Sequence, residues 1–349
     1  MIRGQFFVKR VALIYKKRSS SYLQKRGMKR PILLFWFILL FLYSCQSKKG
    51  DGSFLPLTEL QPLTLGMMPT LDGLPFHIAK TQGIYDSLGL NLTILSFNSA
   101  NDRDAAFQAR KMDGMITDYP SAVMLQAIHH ADLGLVLKND GYFCFIVSKE
   151  SNINQLEQLK EKNIAVSRNT VIEYATDQLL SKAGISLSEM NMPEIGQLPL
   201  RLQMLQYNQI DASFLPDPAA SIAMNSQHRS LVSTQELGID FTAFSRKALN
   251  EKRKEIELLI TGYNLGVDYI KMHPQKEWEQ VLIEIGVPEN LTGLVALPNY
   301  QKAKRPSAEG IDKAIHWLKE NHRIPETYSE KNLIDTTYIP TVSTIIKIK

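Results

Sequence analysis

The sequence predicts an α/β protein of two lobes that face a shared cleft, each lobe a mostly parallel sheet flanked by helices. Three observations carry this reading. Short apolar runs alternate with helical patterns, and the order strand–helix–strand–helix–strand–helix–strand appears twice. Alternation of this kind builds parallel βαβ units with right-handed crossovers. The stretch Lys111–Met124 (KMDGMITDYPSAVM) returns in outline as Gln209–Met224 (QIDASFLPDPAASIAM). Asp113 answers to Asp211, Pro120 to Pro218, and Asp118 to Asp217 with a shift of one residue. Finally, 349 residues are enough for two domains.

In chain order, Leu63–Met67 reads as the first strand and Met68–Leu74 as the loop after it. Pro75 suits the first turn of a helix, with Gly83 just past its end. Asn91–Phe97 alternates as a strand. Asn98–Asp104 reads as a polar loop with Asp102 as a cap, leading to a helix over Arg103–Lys111. Strand Gly114–Thr117, an acidic loop, helix Pro120–His129 and strand Leu133–Leu137 follow. The apolar run Tyr142–Ser148 is taken as a strand that crosses to the second lobe. There the pattern predicts a short helix over Asn154–Lys160 and a strand over Asn163–Ser167. Helix Thr170–Ala183 follows, with Ile172, Ala175, Leu179 and Ala183 on one face, a Thr170/Glu173 capping box and Gly184 at its end. Next come strand Glu194–Leu198, helix Pro199–Tyr207, strand Ile210–Leu215, helix Pro218–Asn225 and strand Leu231–Ser233. Phe241–Ser245 reads as a second crossing strand. The helices Glu251–His273, Gln275–Ile285 and Glu309–Asn321 are expected to pack back on the first lobe. Lys331–Pro340 closes as a loop with an extended end at Tyr338.

The charge balance belongs to the ends. Residues 1–44 carry ten Lys or Arg and no acid, so the formal charge of +5 becomes −5 without them. The body lacks the concentrated basic face that nucleic-acid binding needs. Met28-Lys29-Arg30 precedes twelve apolar residues, Ile32–Tyr43. That is too short for a transmembrane helix of about 20 residues and fits the core of a secretory signal. Only Cys45 and Cys144 are present, and no Cys/His cluster has metal-ligand spacing. No metal or cofactor is expected. No Ser-His-Asp or G-x-S-x-G arrangement stands out.

Leu42-Tyr43-Ser44-Cys45 resembles the lipobox of bacterial lipoproteins. That resemblance implies lipidation at Cys45, a signal peptide over 28–44, translation from Met28 with 1–27 as a mis-assigned upstream start, and a tether over 45–62. Gly66…Pro75-x-x-x-Ala79-x-x-x-Gly83-Ile84-Tyr85-x-x-x-Gly89-Leu90 resembles the opening of the substrate-binding proteins of ABC importers, in the sulfonate/nitrate/taurine and thiamine-precursor group. Met112-Asp113-Gly114, Ile153–Val166 and Leu333–Tyr338 are similar to later motifs of the same family. The resemblance implies a type II periplasmic binding fold, with lobe 1 over 63–140 and 241–349 and lobe 2 over 141–240. It also implies a small ligand in the cleft, delivery to a membrane permease with its ATPase, a monomer, and a lipid-anchored place in the cell envelope. A pyrimidine-synthesising enzyme of the same fold uses a Cys-rich iron site, which this chain lacks. A sensor lipoprotein that kept the fold and lost the cleft is a further alternative.

In an open α/β sheet, ligands sit outside the carboxyl ends of the strands. Asp118 and Asp217 follow such strands and are candidates to accept hydrogen bonds from ligand amino groups; helix capping is the plainer role. Free amides at Asn169–Ile172, with Ser167, Arg168, Asn169 and Thr170, are candidates to hold an anion or carbonyl at a helix start. Tyr119 is a candidate to stack on a flat ligand. Thr70, Leu71, Asp72 and Ser99 complete the set. The first-lobe loops offer Asp72, Asp102 and Asp118 against Arg103 alone. That balance points to a neutral or amine-bearing heterocycle, such as a pyrimidine thiamine precursor, with a sulfonate or nitrate as the alternative.

Overall fold

The computed structural model describes residues 59–234, 240–330 and 332–339. Lipidation at Cys45, the signal peptide over 28–44, the segment 1–27, most of the tether, Lys331 and Pro340 lie outside the described residues.

Among the described residues, nine strands form two separate sheets. The first contains β1 (Leu63–Met67), β2 (Leu92–Ser96), β3 (Gly114–Asp118), β4 (Leu133–Lys138) and β9 (Asp240–Ser245), in the order β2-β1-β3-β9-β4. The second contains β5 (Phe143–Val147), β6 (Ile164–Ala165), β7 (Ala212–Pro216) and β8 (Arg229–Ser233), in the order β6-β7-β5-β8. β1 pairs in parallel with β2 and β3, and β6 with β7. The two crossing strands run the other way: β9 is antiparallel to both β3 and β4, and β5 to both β7 and β8. All the remaining strands of each sheet therefore share one direction. The chain exchanges strands: β5 leaves the first half to complete the second sheet, and β9 returns to complete the first.

The likeness of the halves extends to one missing piece. Asn191 and Glu194 make isolated parallel bridges to Asn163 and Val166, at the edge where β2 lies in the first sheet. A full strand over Glu194–Leu198 is not formed. Pro193 has no N–H to give to a ladder, and it is preceded and followed by only single bridges.

Other elements shift for local reasons. Helix α3 (Ala100–Gln108) starts earlier than the polar composition suggested, because Ser99 rather than Asp102 is its N-cap and accepts from the Asp102 N–H. The turn over Leu156–Leu159 is a single 3₁₀ turn bracketed by left-handed Asn152 and Glu161, not the helix expected there. At the start of α5 (Val171–Lys182), Thr170 caps as expected, accepting from Ile172 N. The reciprocal half of the capping box is absent: Glu173 accepts instead from Asn169 N at 2.7 Å, because Asn169 is left-handed (φ 61°).

The C-terminal helices do pack on the first sheet's half. α9 (Arg253–Met272) lies along α1 (Leu74–Thr81), burying Tyr263 and Val267, and the Phe76 and Tyr263 rings meet at 4.9 Å. Full burial of each such side chain is worth about 1.5–3 kcal/mol. The two helices touch so closely that a Cβ on Gly266 would lie 2.3 Å from the Pro75 carbonyl oxygen. α11 (Ala308–Glu320) covers α4 (Tyr119–Ala127) through Ile311, Ala314 and Leu318.

Candidate functional site

A narrow slot runs between the loops of the two sheets. About 690 Å³ is free of atoms when the open mouth is counted, but only about 50 Å³ admits the centre of a water-sized sphere. The two halves therefore stand close together across the slot.

The first half contributes three polar elements. After β1, Thr70 donates to the Asp72 carboxylate, and burial pushes the Asp72 carboxyl above its ordinary range. Leu71 N donates to the Asp217 carbonyl at 2.9 Å, a direct backbone link to the other half. On α3, Arg103 is 4% exposed; its Nε donates to Asp104 at 2.8 Å and its guanidinium to Thr117 Oγ1 at 3.2 Å. Asp118 ends β3 and caps α4, accepting from Ser121 N at 2.9 Å and Ser121 Oγ at 3.0 Å. Burial raises its carboxyl to about 6, against a smaller downward pull from Arg103.

The second half contributes Ser167, Thr170, Arg201 and Asp217, all buried. Thr170 Oγ1 donates to the Ser167 carbonyl at 2.8 Å. Arg201 stands on α6 (Leu198–Gln206), is 2% exposed, and donates through Nη1 to the Ile195 carbonyl at 2.7 Å. No Asp or Glu pairs with it among the described residues, and burial lowers its guanidinium to about 10, still charged at neutral pH. Asp217 Oδ1 accepts from Ser221 N at 2.9 Å. Ser167 Oγ, Arg201 Nε and Asp217 Oδ2 are buried without hydrogen-bond partners. Tyr142 and Phe143, at the crossing into β5, line the slot between the halves.

Of the residues singled out from sequence, Thr70, Leu71, Asp72, Asp118, Ser167, Thr170 and Asp217 line the slot. Four do not. Ser99 is spent as the cap of α3. Tyr119 packs on Phe241 with centroids 3.9 Å apart and lies over Gly310, and its hydroxyl donates to the Ser307 carbonyl at 2.8 Å. That ring is core rather than a stacking platform. Arg168 pairs with Glu173 at 2.8 Å, and Asn169 gives its N–H to the same carboxylate. Arg201 was missed. Its signal was available: Leu198, Arg201 and Leu205 share the buried face of one helix, where an arginine needs a reason. Arg201 also corrects the charge balance drawn from the first-half loops alone, since it adds a second buried cation to the slot.

Among the described residues, no three His, Cys, Asp or Glu side chains form a group that could hold a metal.

Two α/β halves with exchanged strands and a slot between them form the periplasmic binding protein fold, and comparison with solved structures agrees. The ligand-binding component of an ABC-type import system from Staphylococcus aureus, solved with zinc bound, superposes with a TM-score of 0.66 at 13% identity, over 80% of this chain and 97% of that one. The periplasmic aliphatic sulphonate-binding protein SsuA from Escherichia coli gives 0.65 at 17% identity, over 78% and 97%. The desulfurization enzyme DszB gives 0.59 at 11% identity, over 82% and 100%. The chain belongs to the family described as NMT1/THI5 like, whose profile matches residues 71–277. No curated protein matches the sequence.

Proposed function

We propose that this protein is the solute-binding component of an ABC-type importer. In this reading, residues 63–140 with 241–349 form one lobe and 141–240 the other, and the two close on a small solute. A lipid on Cys45 holds a monomer on the periplasmic side of a bacterial membrane, where it hands the solute to a permease and its ATPase. The observation that carries the reading is the slot itself, lined from both sheets by buried polar groups at the carboxyl ends of strands. The S. aureus and E. coli neighbours, both binding proteins, support it. We read the slot as a binding site rather than a catalytic one.

Within this reading a thiamine-precursor pyrimidine offers an amino group to Asp118 or Asp217, and a sulfonate offers an anion to Arg201. The test is a thermal-shift screen of the protein against aminopyrimidines, sulfonates, nitrate and amino acids, followed by small-angle scattering with the best hit. A saturable shift accompanied by a smaller radius of gyration is expected. A hit that leaves the radius unchanged, or no hit across the whole screen, ends the importer reading.

A further inference from the structure

A segment from the C-terminal part of the chain runs along one of the two crossings. Residues 295–304 follow the 3₁₀ turn Glu289–Leu294 and lie antiparallel to residues 138–142, the stretch that leads from β4 into β5. Three hydrogen bonds set the alignment. Tyr142 Oη donates to the Ala296 carbonyl at 3.1 Å, Gln301 N to Asp140 Oδ2 at 2.6 Å, and Lys138 N to the Lys304 carbonyl at 2.8 Å.

The same segment is tied to both halves. Ala303 N donates to Asn264 Oδ1 at 2.7 Å, which anchors it on α9 and so on the first half. Tyr300, 2% exposed, donates to the Leu71 carbonyl at 2.7 Å, also in the first half. Ala296 N donates to Ser221 Oγ at 3.3 Å, on α7 (Ala219–Asn225) of the second half. Between these ties Pro298 lines the slot. Leu71 is itself the first half's backbone link to the second, through its N–H on the Asp217 carbonyl at 2.9 Å.

The Leu71–Asp217 and Ala296–Ser221 bonds each join one half to the other, so both are made only while the halves stand together. Interactions present in one of two arrangements shift the balance towards it. A single neutral hydrogen bond shifts such a balance by about two- to tenfold.

We propose that residues 295–304 form a strap that biases the ligand-free protein towards closure, with Tyr300 and Ser221 as its positioning residues. Tyr300 holds the Leu71 peptide against Asp217, and Ser221 catches the strap on the second half. This rests on the binding-protein reading above, in which the halves open and close, and adds what sets the resting balance between them. Without the strap bonds the open arrangement gains population, and a solute that needs the closed one binds more weakly by the same factor.

The test needs no ligand. Hydrogen exchange at the Leu71 amide, resolved to the single residue, is followed in the purified protein, because that amide is protected only while it meets Asp217. Tyr300→Phe removes the hydroxyl on Leu71 and keeps the ring. Ser221→Ala removes the catch and leaves both partners of the Leu71–Asp217 bond in place. Each variant is expected to speed Leu71 exchange about two- to tenfold and to enlarge the radius of gyration seen by small-angle scattering. Tyr338→Phe removes a comparable hydroxyl bond, to the Leu249 carbonyl at 2.8 Å and apart from the strap, and should leave Leu71 exchange unchanged. If either folded variant keeps the parent's exchange rate at Leu71, or if Tyr338→Phe speeds it as much, the strap is overturned. Where Tyr300→Phe fails to fold, Ser221→Ala decides alone. A thermal-shift hit that compacts the protein, together with strap variants that change nothing, removes the strap and leaves the binding-protein reading standing. Faster exchange in both variants upholds the strap even where the screen finds no solute.

Discussion

Asp113 and Asp211 accept the same hydrogen bond in the two halves: Asp113 Oδ2 from Thr64 N and Asp211 Oδ2 from Asn163 N, each at 2.8 Å. The match continues in the backbone. The Asp113 N–H reaches the Thr64 carbonyl and the Asp211 N–H the Asn163 carbonyl, while their own carbonyls accept from Ser245 and Ser148, at the far ends of the exchanged strands. Each aspartate thus ties the start of a first strand, its own strand and a crossing strand together.

Replacing either aspartate by alanine leaves a strand-start N–H without its side-chain acceptor, a loss of about 1–3 kcal/mol. Asp113→Ala is expected to cost more than Asp211→Ala, because it also strands Lys252, whose Nζ lies 2.8 Å from Asp113 Oδ1. Urea midpoints of the two variants check the ranking, and asparagine at either position should recover most of the loss at Asp211 and less at Asp113.

The raised carboxyl of Asp118 has a pH signature. Its pKa in the folded protein is about 6, above the ordinary 3.8. Such a group favours folding most below its unfolded pKa, and that contribution is lost as pH rises through the folded value. Stability therefore falls between about pH 4 and pH 6 on its account, by roughly 3 kcal/mol at most. Asp118→Asn keeps an oxygen for Ser121 N and removes the titration. The difference in unfolding free energy between variant and parent is expected to shift in the variant's favour from pH 4 to pH 7; a constant difference would remove Asp118 from the balance.

A contact outside the slot joins α5 to the C-terminal helix and the turn after it. Arg323 lies 3.1 Å from the buried Glu173, Trp317 Nε1 donates to Asp177 at 2.6 Å, and the Tyr174 and Trp317 rings meet edge-on at 5.3 Å. None of these residues lines the slot. Arg323→Met is expected to weaken ligand binding by less than tenfold through a more open equilibrium, given that the arginine is partly exposed. Scattering of the ligand-free variant should show a larger radius of gyration, with the association rate unchanged.

Gly266→Ala tests the α1–α9 contact. The new methyl would meet the Pro75 carbonyl oxygen, which belongs to backbone and cannot swing aside. A loss of about 1–3 kcal/mol is expected. Gly293→Ala, where a Cβ meets nothing within 4 Å, is the control and should leave the thermal midpoint nearly unchanged.

Alternation of apolar runs made the strands and their two-fold repetition legible, down to the equivalence of Asp113 with Asp211. Direction was less so: nothing local in Phe143–Val147 or Asp240–Ser245 tells that these strands enter the opposite sheet against the grain, because that is fixed by partners far along the chain. Asp118 ends β3 and Asp217 follows β7, and both line the slot. Tyr119, Arg168 and Asn169 lie off the slot because their partners, Phe241, Ser307 and Glu173, are set by tertiary packing or by a left-handed residue that sequence spacing does not reveal. Arg201 escaped notice because a single cation on an apolar helix face looks like an interruption until the cavity beside it is seen.

The strand exchange has a bearing on biogenesis. The first sheet stays incomplete, with β3 and β4 unjoined, until Asp240–Ser245 has been made. A ribosome or export channel that releases the chain from its N-terminus must therefore deliver well over half of it before either jaw can be finished. Truncation before residue 240 should yield an aggregating product rather than a working fragment, and any chaperone that escorts this polypeptide has to wait for the returning strand.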